Sequence, residues 1–140
     1  MYVLDTNVLS EARRAGPNRN MVAWLASVPD HRLHISVIVI GEIRRGILMH
    51  AKTNPHSAQR LDSWLDELID DYAFGERLLP VTLEDALTWG RITATNKQLP
   101  VADALIAAQA LARDWTVVTR NVKDFERTGV RLLNPFEYEG

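Results

Sequence analysis

The chain has 140 residues, of which 46% are hydrophobic and 24% are charged, values typical of one globular domain. It contains no cysteine, which excludes disulfide bonds, thiolate catalysis and zinc sites built on cysteine, and which is consistent with a cytoplasmic protein. No segment approaches the roughly 18 apolar residues that a membrane-spanning helix needs, and the first residues lack the basic flank and apolar core of a secretion signal. Neither membrane association nor secretion is therefore expected.

The formal net charge of −2 provides no overall positive charge for binding nucleic acid. Positive residues could nevertheless form a local basic rim, although the sequence does not reveal whether they meet on one face of the protein. The candidates for such a rim are Arg13, Arg14, Arg44, Arg45, Lys52, Arg91, Lys97, Arg120, Lys123 and Arg127.

Predicted strands and helices alternate along the whole chain. Short apolar runs predict strands at residues 2–4, 33–35, 78–81, 116–119 and 130–133. Cap residues and helical periodicity predict helices directly after Asn7, at 21–28 with an Asn18 cap, from 37 to about 52 with a Ser36 cap, after a Ser57 cap, from Thr82 to Ile92, at about 102–113, and for one turn within 120–129. This alternation, with no repeat or linker, indicates one α/β domain over residues 1–140, with helices on both faces of a mainly parallel sheet.

The helix predicted after Ser57 has the clearest period in the chain. Its apolar residues recur at the spacing of one helix face, at Leu61, Trp64, Leu65, Leu68, Ile69 and Tyr72. The opposite face is acidic and is most simply interpreted as a solvated surface. The four tryptophans lie mostly on such apolar stripes or at helix ends, so packing in the core explains them better than a role in stacking on nucleic-acid bases.

The first predicted strand stops at Asp5, just before a helix. A strand that delivers a carboxylate to its carboxyl end is a common way for an α/β sheet to present a functional group. Asp5 or Thr6 could instead cap the helix by accepting hydrogen bonds from its free N–H groups. The choice depends on whether other carboxylates meet Asp5.

Two further carboxylates lie on otherwise apolar helix faces. Glu42 is surrounded in sequence by isoleucine and valine, where a carboxylate is costly to bury unless it is paired or bound to a cation. An i, i+3 pair with Arg45 on an exposed flank is the simpler explanation. Asp103 begins a stripe that continues with Ile106 and Ala107, and its place in the first helical turn suits the helix dipole but does not explain its face.

The last polar group follows the strand predicted at 116–119. Thr119, Arg120 and Asn121 stand at its carboxyl end, and Asp124 comes three residues later. Either Asn121 or Asp124 alone could be an ordinary turn residue. Parallel strands would bring these residues to the same sheet edge as Asp5, and such a set of oxygen ligands suits Mg²⁺ or Mn²⁺, which can support attack of water on phosphorus.

Other chemistries have little support in the sequence. His31 and His34 lie on a turn-to-strand segment, and no histidine pair has the spacing of a zinc site. There is no G-x-S-x-G nucleophile motif and no G-x-G-x-x-G motif. The segment from Gly41 to Gly46 begins like a P-loop but continues with Ile47 and Leu48 in place of Lys-Ser/Thr.

Four segments, in order, resemble the PIN-domain family. They read V-L-D-T-N-V-L-S, S-V-I-V-I-G-E-I-R-R-G, V-A-D-A-L-I-A-A-Q-A-L and V-V-T-R-N-V-K-D-F, and they extend from Asp5 to Phe125. The chain looks most like the VapC and FitB-like toxins of bacterial toxin–antitoxin pairs. The resemblance implies a three-layer α/β/α fold around a five-stranded, mainly parallel sheet, with a Mg²⁺-dependent ribonuclease site at one sheet edge.

The resemblance also assigns roles to individual residues. Asp5, Glu42 and Asp103 match the three acidic positions of the family's metal site. Thr6 matches the hydroxyl beside the first aspartate, and Asn7 matches the next, supporting position. With Asp5 as a metal ligand, we expect Thr6 and Asn7 to cap the helix.

The fourth acidic position of the family is divided between two residues of this chain. Asn121 occupies the usual place after the Thr-Arg pair, and Asp124 precedes the phenylalanine, while Thr119 is a supporting residue of the site. Because an amide carries no charge, Asn121 favours a one-ion site over a two-ion site.

The leading hypothesis is a metal-dependent endoribonuclease toxin. Its catalytic residues would be Asp5, Glu42, Asp103 and either Asn121 or Asp124, and Arg120, Arg44 and Arg45 are candidates for contacts with RNA phosphates. The family resemblance implies a homodimer or higher oligomer, and a small DNA-binding antitoxin through which alone the protein would reach operator DNA. Apolar helices near Trp24 and after Ser57 are candidate antitoxin surfaces.

Two alternatives remain open from the sequence. The chain could be a catalytically weak module that acts through its antitoxin and operator DNA, as the neutral Asn121 and the lack of basic excess suggest. A phosphatase with Asp5 as nucleophile has less support, because the neighbouring aspartate and downstream lysine of such sites are missing. The class of RNA substrate is not determined by these residues.

Overall fold

The computed structural model describes all 140 residues and contains five strands and seven α-helices. The strands are β1 (Tyr2–Leu4), β2 (Leu33–Ser36), β3 (Leu78–Leu79), β4 (Thr116–Val118) and β5 (Arg131–Leu133). The helices are α1 (Thr6–Arg13), α2 (Arg19–Ser27), α3 (Val37–Ala51), α4 (Pro55–Ala73), α5 (Leu83–Thr95), α6 (Val101–Arg113) and α7 (Val122–Phe125). Short 3₁₀ turns occupy Asp30–Arg32, Glu126–Thr128 and Pro135–Glu137.

All neighbouring strands are parallel, and their order in the sheet is β3-β2-β1-β4-β5. The chain therefore builds outward from β1 in one direction through β2 and β3, and then returns to the other side of β1 with β4. In open α/β sheets this reversal point leaves a crevice beyond the carboxyl ends of the strands, where ligands bind. In this protein the crevice lies beyond the ends of β1 and β4.

The central strands are buried on both faces of the sheet. Val3 and Leu4 of β1, and Val117 and Val118 of β4, are each no more than 1% exposed although successive side chains point to opposite faces. Helices must therefore cover both sides, and the predicted α/β architecture with a five-stranded parallel sheet is confirmed.

Helix α4 packs as its sequence period predicts. Leu65 and Tyr72 are buried in the core, and the rest of the apolar stripe is partly buried against it. Asp66, Glu67 and Asp70 on the other face are exposed. The tryptophans also follow the prediction: Trp24 lies in the core, and Trp64, Trp89 and Trp115 pack against it.

Most predicted helix starts are correct. The side chains of Asn18 and Ser36 accept hydrogen bonds from the main chain of Met21 and Ile38, and Thr82 and Asp85 form a complete capping box.

The prediction that Ser57 caps helix α4 was wrong. Helix α4 begins at Pro55, and Asn54 is its cap, accepting a hydrogen bond from the Ser57 N–H. Proline is well suited to the first position of a helix because its missing N–H would be unpaired there in any case.

The third strand is shorter than predicted. It contains only Leu78 and Leu79 and lies at the edge of the sheet, and Pro80 follows it directly. Proline lacks the N–H that would continue the ladder, so the strand ends where the proline begins. None of the helices combines the length and apolar character needed to span a lipid bilayer.

Candidate active site

Asp5 lies at the crevice beyond β1 and β4 and is only 5% exposed. Its main-chain N–H donates to the Val118 carbonyl (2.9 Å), which extends the pairing of the two strands. Its carboxylate accepts hydrogen bonds from the Thr6 N–H (2.8 Å), the Asn7 amide (3.1 Å) and the Thr119 hydroxyl (2.9 Å). All three donors are neutral, so the buried negative charge has no paired cation.

The prediction that Thr6 and Asn7, and not Asp5, cap the first helix was wrong. Asp5 itself is the N-cap of α1, and Thr6 and Asn7 are the first two residues of the helix. The reason is that the helix begins directly at the end of the strand, so only Asp5 has the extended backbone of a cap residue (φ −79°, ψ 161°). Capping uses one carboxylate oxygen, Oδ1, and the other accepts the Asn7 and Thr119 bonds.

Asn7 and Thr119 connect the ends of the two strands. The Asn7 amide donates to Asp5 and to Thr119 Oγ1 (3.1 Å each), while its Oδ1 accepts the Arg120 N–H (3.0 Å). Thr119 Oγ1 donates to Asp5 and accepts the Asn121 N–H (3.0 Å). This network fixes the orientation of the Asp5 carboxylate, which is a positioning role for both side chains.

Glu42 reaches the same crevice from α3. Thr6 Oγ1 donates to Glu42 Oε1 (3.1 Å), and no ion pair forms with Arg45. The residue lies on the exposed side of the helix, so the deep burial suggested by its apolar neighbours does not occur. Partial desolvation and then the charge of Asp5 raise the pKa of Glu42, against the effect of the Thr6 hydrogen bond.

Asp103 enters the crevice from the first turn of α6. It accepts no hydrogen bond from any side chain and forms no ion pair, and its helix buries Ala104, Ile106 and Ala107 in the core. Burial, followed by the negative charges of neighbouring carboxylates, raises the pKa of Asp103 to about 6. Those carboxylates are Asp5, Glu42 and Asp124.

The structure separates the two candidates for the fourth position. The charge of Asp124 raises the pKa of both Asp5 and Asp103, so its carboxylate belongs electrostatically to the cluster. Asn121 contributes its main-chain N–H to Thr119, while its side chain is not engaged in a hydrogen bond. Asp124 is therefore better placed to supply a fourth acidic group.

Burial also dominates the titration of Asp5. It raises the pKa of the carboxyl, while the hydrogen bonds from Thr119, Thr6 and Asn7 act in the opposite direction and the charge of Asp124 adds to the rise. We define Asp5, Glu42, Asp103 and Asp124 as the acidic cluster. The charges of Asp5, Glu42 and Asp124 raise the pKa of Asp103, and a bound cation would reduce that repulsion.

The oxygen donors of the acidic cluster fit a hard divalent cation. No three of the carboxylates converge on one point at coordination distance. Mg²⁺ usually keeps several of its water molecules and needs only one or two direct carboxylates. Asp5, which is held in place, and Asp103, which is free of hydrogen bonds, are the residues that could hold such an ion, with Glu42 and Asp124 acting through water.

The arginines predicted to contact phosphate are partly engaged elsewhere. The Arg120 guanidinium lies 4.9 Å from the centre of the Phe136 ring, and Arg44 pairs with Asp62 of α4. Arg45 is exposed and forms no ion pair. Their contact with RNA stays a prediction. Three other cations, Lys97, Lys123 and Arg127, lie together beside Asp124, and sequence reasoning included them only among ten possible members of a basic rim.

Comparison with known proteins identifies the family and relatives of this chain. The sequence profile described as "PIN domain" matches residues 2–130. The chain is 33% identical to the VapC ribonuclease Y4jK of Sinorhizobium fredii, over 98% of this chain and 99% of that protein. It is also 33% identical to the toxin FitB of Neisseria gonorrhoeae, over 97% and 99% of the two chains.

Solved structures show the same arrangement of elements. FitAcB from Neisseria gonorrhoeae contains a chain that superposes with a TM-score of 0.87 at 32% identity, covering 98% of this chain and 99% of that one. VapBC2 from Rickettsia felis, bound to a DNA fragment from its promoter, superposes with a TM-score of 0.72 at 26% identity, covering 95% and 97%.

Proposed function

The chain belongs to the PIN-domain family, and from this membership and its acidic cluster we propose that it is a Mg²⁺-dependent endoribonuclease acting as the toxin of a toxin–antitoxin pair. The observation that carries the proposal is that the charges of Asp5, Glu42 and Asp124 all act on Asp103, while no cation is paired with any of the four carboxylates. Relatives described as ribonucleases and toxins support the choice of reaction.

Each acidic side chain has a distinct proposed role. Asp5 is the fixed ligand, because Thr119 and Asn7 hold its carboxylate in one orientation. Asp103 accepts no side-chain hydrogen bond, so it can either share the ion or orient the attacking water molecule. A bound Mg²⁺ or Mn²⁺ supplies charge stabilisation for in-line attack at phosphorus. Glu42 completes the ion's environment from α3.

We propose a site with one ion. Asn121 is neutral, and Asp124, the remaining carboxylate, is exposed on α7 and acts best through an intervening water molecule. A second ion would need another direct charged ligand, because Mg²⁺ is bound in proteins mainly through carboxylates and water.

The proposed partners follow from the complexes formed by similar proteins. FitAB and VapBC2 are described as bound to DNA fragments, and VapBC is described as a family of toxin-antitoxin systems. We propose that the chain binds a small DNA-binding antitoxin and contacts operator DNA only through that antitoxin. We also propose that it forms a homodimer or a higher oligomer, and that it acts on RNA in the cytoplasm.

The test is RNA cleavage by the purified chain with Mg²⁺, with Mn²⁺ and with excess EDTA. Cleavage is expected with either metal and should disappear in EDTA, in Asp5→Asn and in Asp103→Asn. Asp66→Asn, which removes an exposed carboxylate of α4, is the matched control and should cleave like the unaltered chain. Cleavage that persists in EDTA or survives both substitutions in the cluster would rule out the mechanism.

A catalytically weak binding module is the second candidate. The neutral Asn121 and the absence of three converging carboxylates favour it. Calorimetric titration with Mn²⁺ separates the two, because a nuclease of this design must bind the ion at millimolar concentration or below. Failure to bind at that concentration would favour the module, which would act through its antitoxin and operator DNA.

A further inference from the structure

A groove of about 460 Å³ opens beside the acidic cluster, between the end of α5 and helix α7. This volume lies within the range of about 300–1,000 Å³ that is usual for ligand sites. We call it the basic groove, and its lining consists of residues 94–100 together with Lys123, Asp124 and Arg127.

The groove concentrates positive charge on a protein whose net charge is negative. Lys97 comes from the loop between α5 and α6, and Lys123 and Arg127 come from α7 and the 3₁₀ turn after it. All three are exposed and none forms an ion pair, although Asp124 lines the same groove. Unpaired cations that share a concave surface favour a ligand that carries several negative charges.

The two walls of the groove are joined. The Asn96 side-chain amide donates to the Arg127 carbonyl (3.3 Å) and to the Ile92 carbonyl (3.1 Å). These bonds tie the α5–α6 loop to the turn after α7, which keeps Lys97 near the other two cations. The site is therefore held in place by the fold, and its charges do not depend on a flexible loop alone.

The groove leads into the acidic cluster at two points. Asp124 belongs to both, and the groove's last lining residue in the loop, Pro100, is the N-cap of α6, which carries Asp103 in its first turn. Pro100 offers no side-chain cap, and the carboxylate of Asp103 lies in the first turn that follows it. A polyanion that lies in the groove is therefore next to the acidic cluster.

We propose that the basic groove binds phosphates of a single-stranded RNA segment next to the scissile bond, with Lys97, Lys123 and Arg127 as the phosphate contacts. The inference rests on the proposed ribonuclease function and names a substrate-binding surface for it. It would give a chain of net charge −2 a local positive surface for RNA. The side-chain amide of Gln98 is within the same lining and can contact sugar or base edges.

The first experiment measures binding without cleavage. A fluorescein-labelled, random-sequence single-stranded RNA of 16 nucleotides is titrated with the chain in EDTA at several salt concentrations, and anisotropy is recorded. The variant Lys97→Ala/Lys123→Ala/Arg127→Ala is expected to bind about tenfold more weakly or worse. Its slope of log affinity against log salt should fall by about two, the value for three lost contacts on a single strand.

The matched control removes three charges elsewhere. Arg19, Arg32 and Arg60 are exposed, form no ion pair and do not line the groove, so Arg19→Ala/Arg32→Ala/Arg60→Ala should keep the original affinity and salt slope. Equal weakening in both triple variants would overturn the proposal, because binding would then depend only on total charge. Thermal melting of both variants verifies that they are folded.

A cleavage assay distinguishes failure of the inference from failure of the proposed function. If the unaltered chain cleaves RNA and the groove variant binds and cleaves equally well, the groove is not the RNA path although the protein is a nuclease. If the unaltered chain does not cleave RNA but the groove variant still loses binding, the groove binds RNA phosphates, but the nuclease proposal fails and with it the placement of the groove next to a scissile bond. Loss of both binding and cleavage in the groove variant alone supports the two together.

Discussion

The two ends of helix α6 lie near two buried carboxylates, one with a paired cation and one without. At its carboxyl end, Arg113 pairs with the fully buried Asp85 of α5 (2.8 Å), whose other oxygen accepts the Thr82 N–H (3.0 Å). At its amino end, Asp103 faces the nearly buried Asp5, which receives only neutral donors. The charge of Asp85 is therefore neutralised within the protein, whereas the charges of Asp5 and Asp103 are not.

This contrast distinguishes a carboxylate with a structural role from carboxylates that are suited to bind a cation. A buried charge is costly unless it is paired, and a structural acid such as Asp85 therefore has its cation built in. The acidic cluster keeps its mutual repulsion, which is unfavourable for folding and makes sense when a cation from outside provides the compensation. Acids with pKa values raised in this way are concentrated at functional sites.

The largest expected effect is on catalysis. Asp103→Asn should lower RNA cleavage by about 1,000-fold, because removing a group that shares the ion or orients water loses about 4 kcal/mol of transition-state stabilisation. Single-turnover cleavage with Mg²⁺ measures it. Asp85→Asn should keep its activity per folded molecule, so a comparable loss in that variant would break the distinction between the two acids.

The next largest effect is on stability, and it is expected for Asp85, the carboxylate with the structural role. Asp85→Ala should lower the free energy of unfolding by about 3 kcal/mol, since it leaves Arg113 without its partner and breaks the cap of α5. Urea denaturation measures the change, with the exposed neighbour Glu84→Ala as control. The double variant Asp85→Ala/Arg113→Met should recover part of the loss, and no recovery would show that the ion pair is not the cause.

The fourth carboxylate should have a smaller effect on activity. Asp124→Asn is expected to lower cleavage or metal affinity by about 10- to 100-fold, as for residues that act on a metal through a second layer of contacts. Asn121→Ala should stay within about threefold of the unaltered chain, because its exposed side chain makes no hydrogen bond. The reverse order of effects would assign the fourth position to Asn121.

Mg²⁺ should stabilise the acidic cluster and leave the structural pair unaffected. An ion bound with a Kd near 1 mM adds about 1.4 kcal/mol to stability at 10 mM by mass action. Differential scanning fluorimetry with Mg²⁺ and with EDTA measures the increment. It should vanish in Asp103→Asn and persist in Asp85→Ala, and an increment that survives in Asp103→Asn would mean that the ion binds elsewhere.

The smallest expected effect is on the pH dependence of stability in EDTA. The pKa of Asp103 is raised to about 6, so between its ordinary value and 6 the folded state holds its proton more tightly than the unfolded state does. Stability should therefore fall as pH rises through this window. The loss should be about 1 kcal/mol larger in the unaltered chain than in Asp103→Asn, since water screens a half-buried side chain. Equal pH profiles in urea melts would contradict this.

Local patterns in the sequence were sufficient for most of the fold. The caps at Asn18, Ser36 and Thr82 act within three residues of themselves, and the period of α4 repeats within a few turns, so both can be interpreted without knowledge of the rest of the chain. The failure at Ser57 was also local, because an asparagine followed by proline competed with it as a helix start.

The candidate site was only partly predictable. Asp5, Glu42 and Asp103 stood out because each breaks a local pattern, and in the structure the charges of Asp5 and Glu42 both act on Asp103. The preference for Asp124 over Asn121 had no local signal, since both are common turn residues. The engagement of Arg120 with Phe136 and of Arg44 with Asp62 was equally hidden, because each partner lies at least sixteen residues away.

By itself, the sequence determined the alternation of strands and helices, most of the helix boundaries, and which carboxylates lie against an apolar pattern. These features depend on hydrogen bonds and side-chain periods that span a few residues. Only the tertiary structure decided which groups meet, as when Thr119 donates to Asp5 across a separation of 114 residues. The parallel pairing of β1 with β4 and the packing of α6 determine which side chains are neighbours. For the same reason Asp85 has a cation within the protein, whereas Asp5 and Asp103 have none.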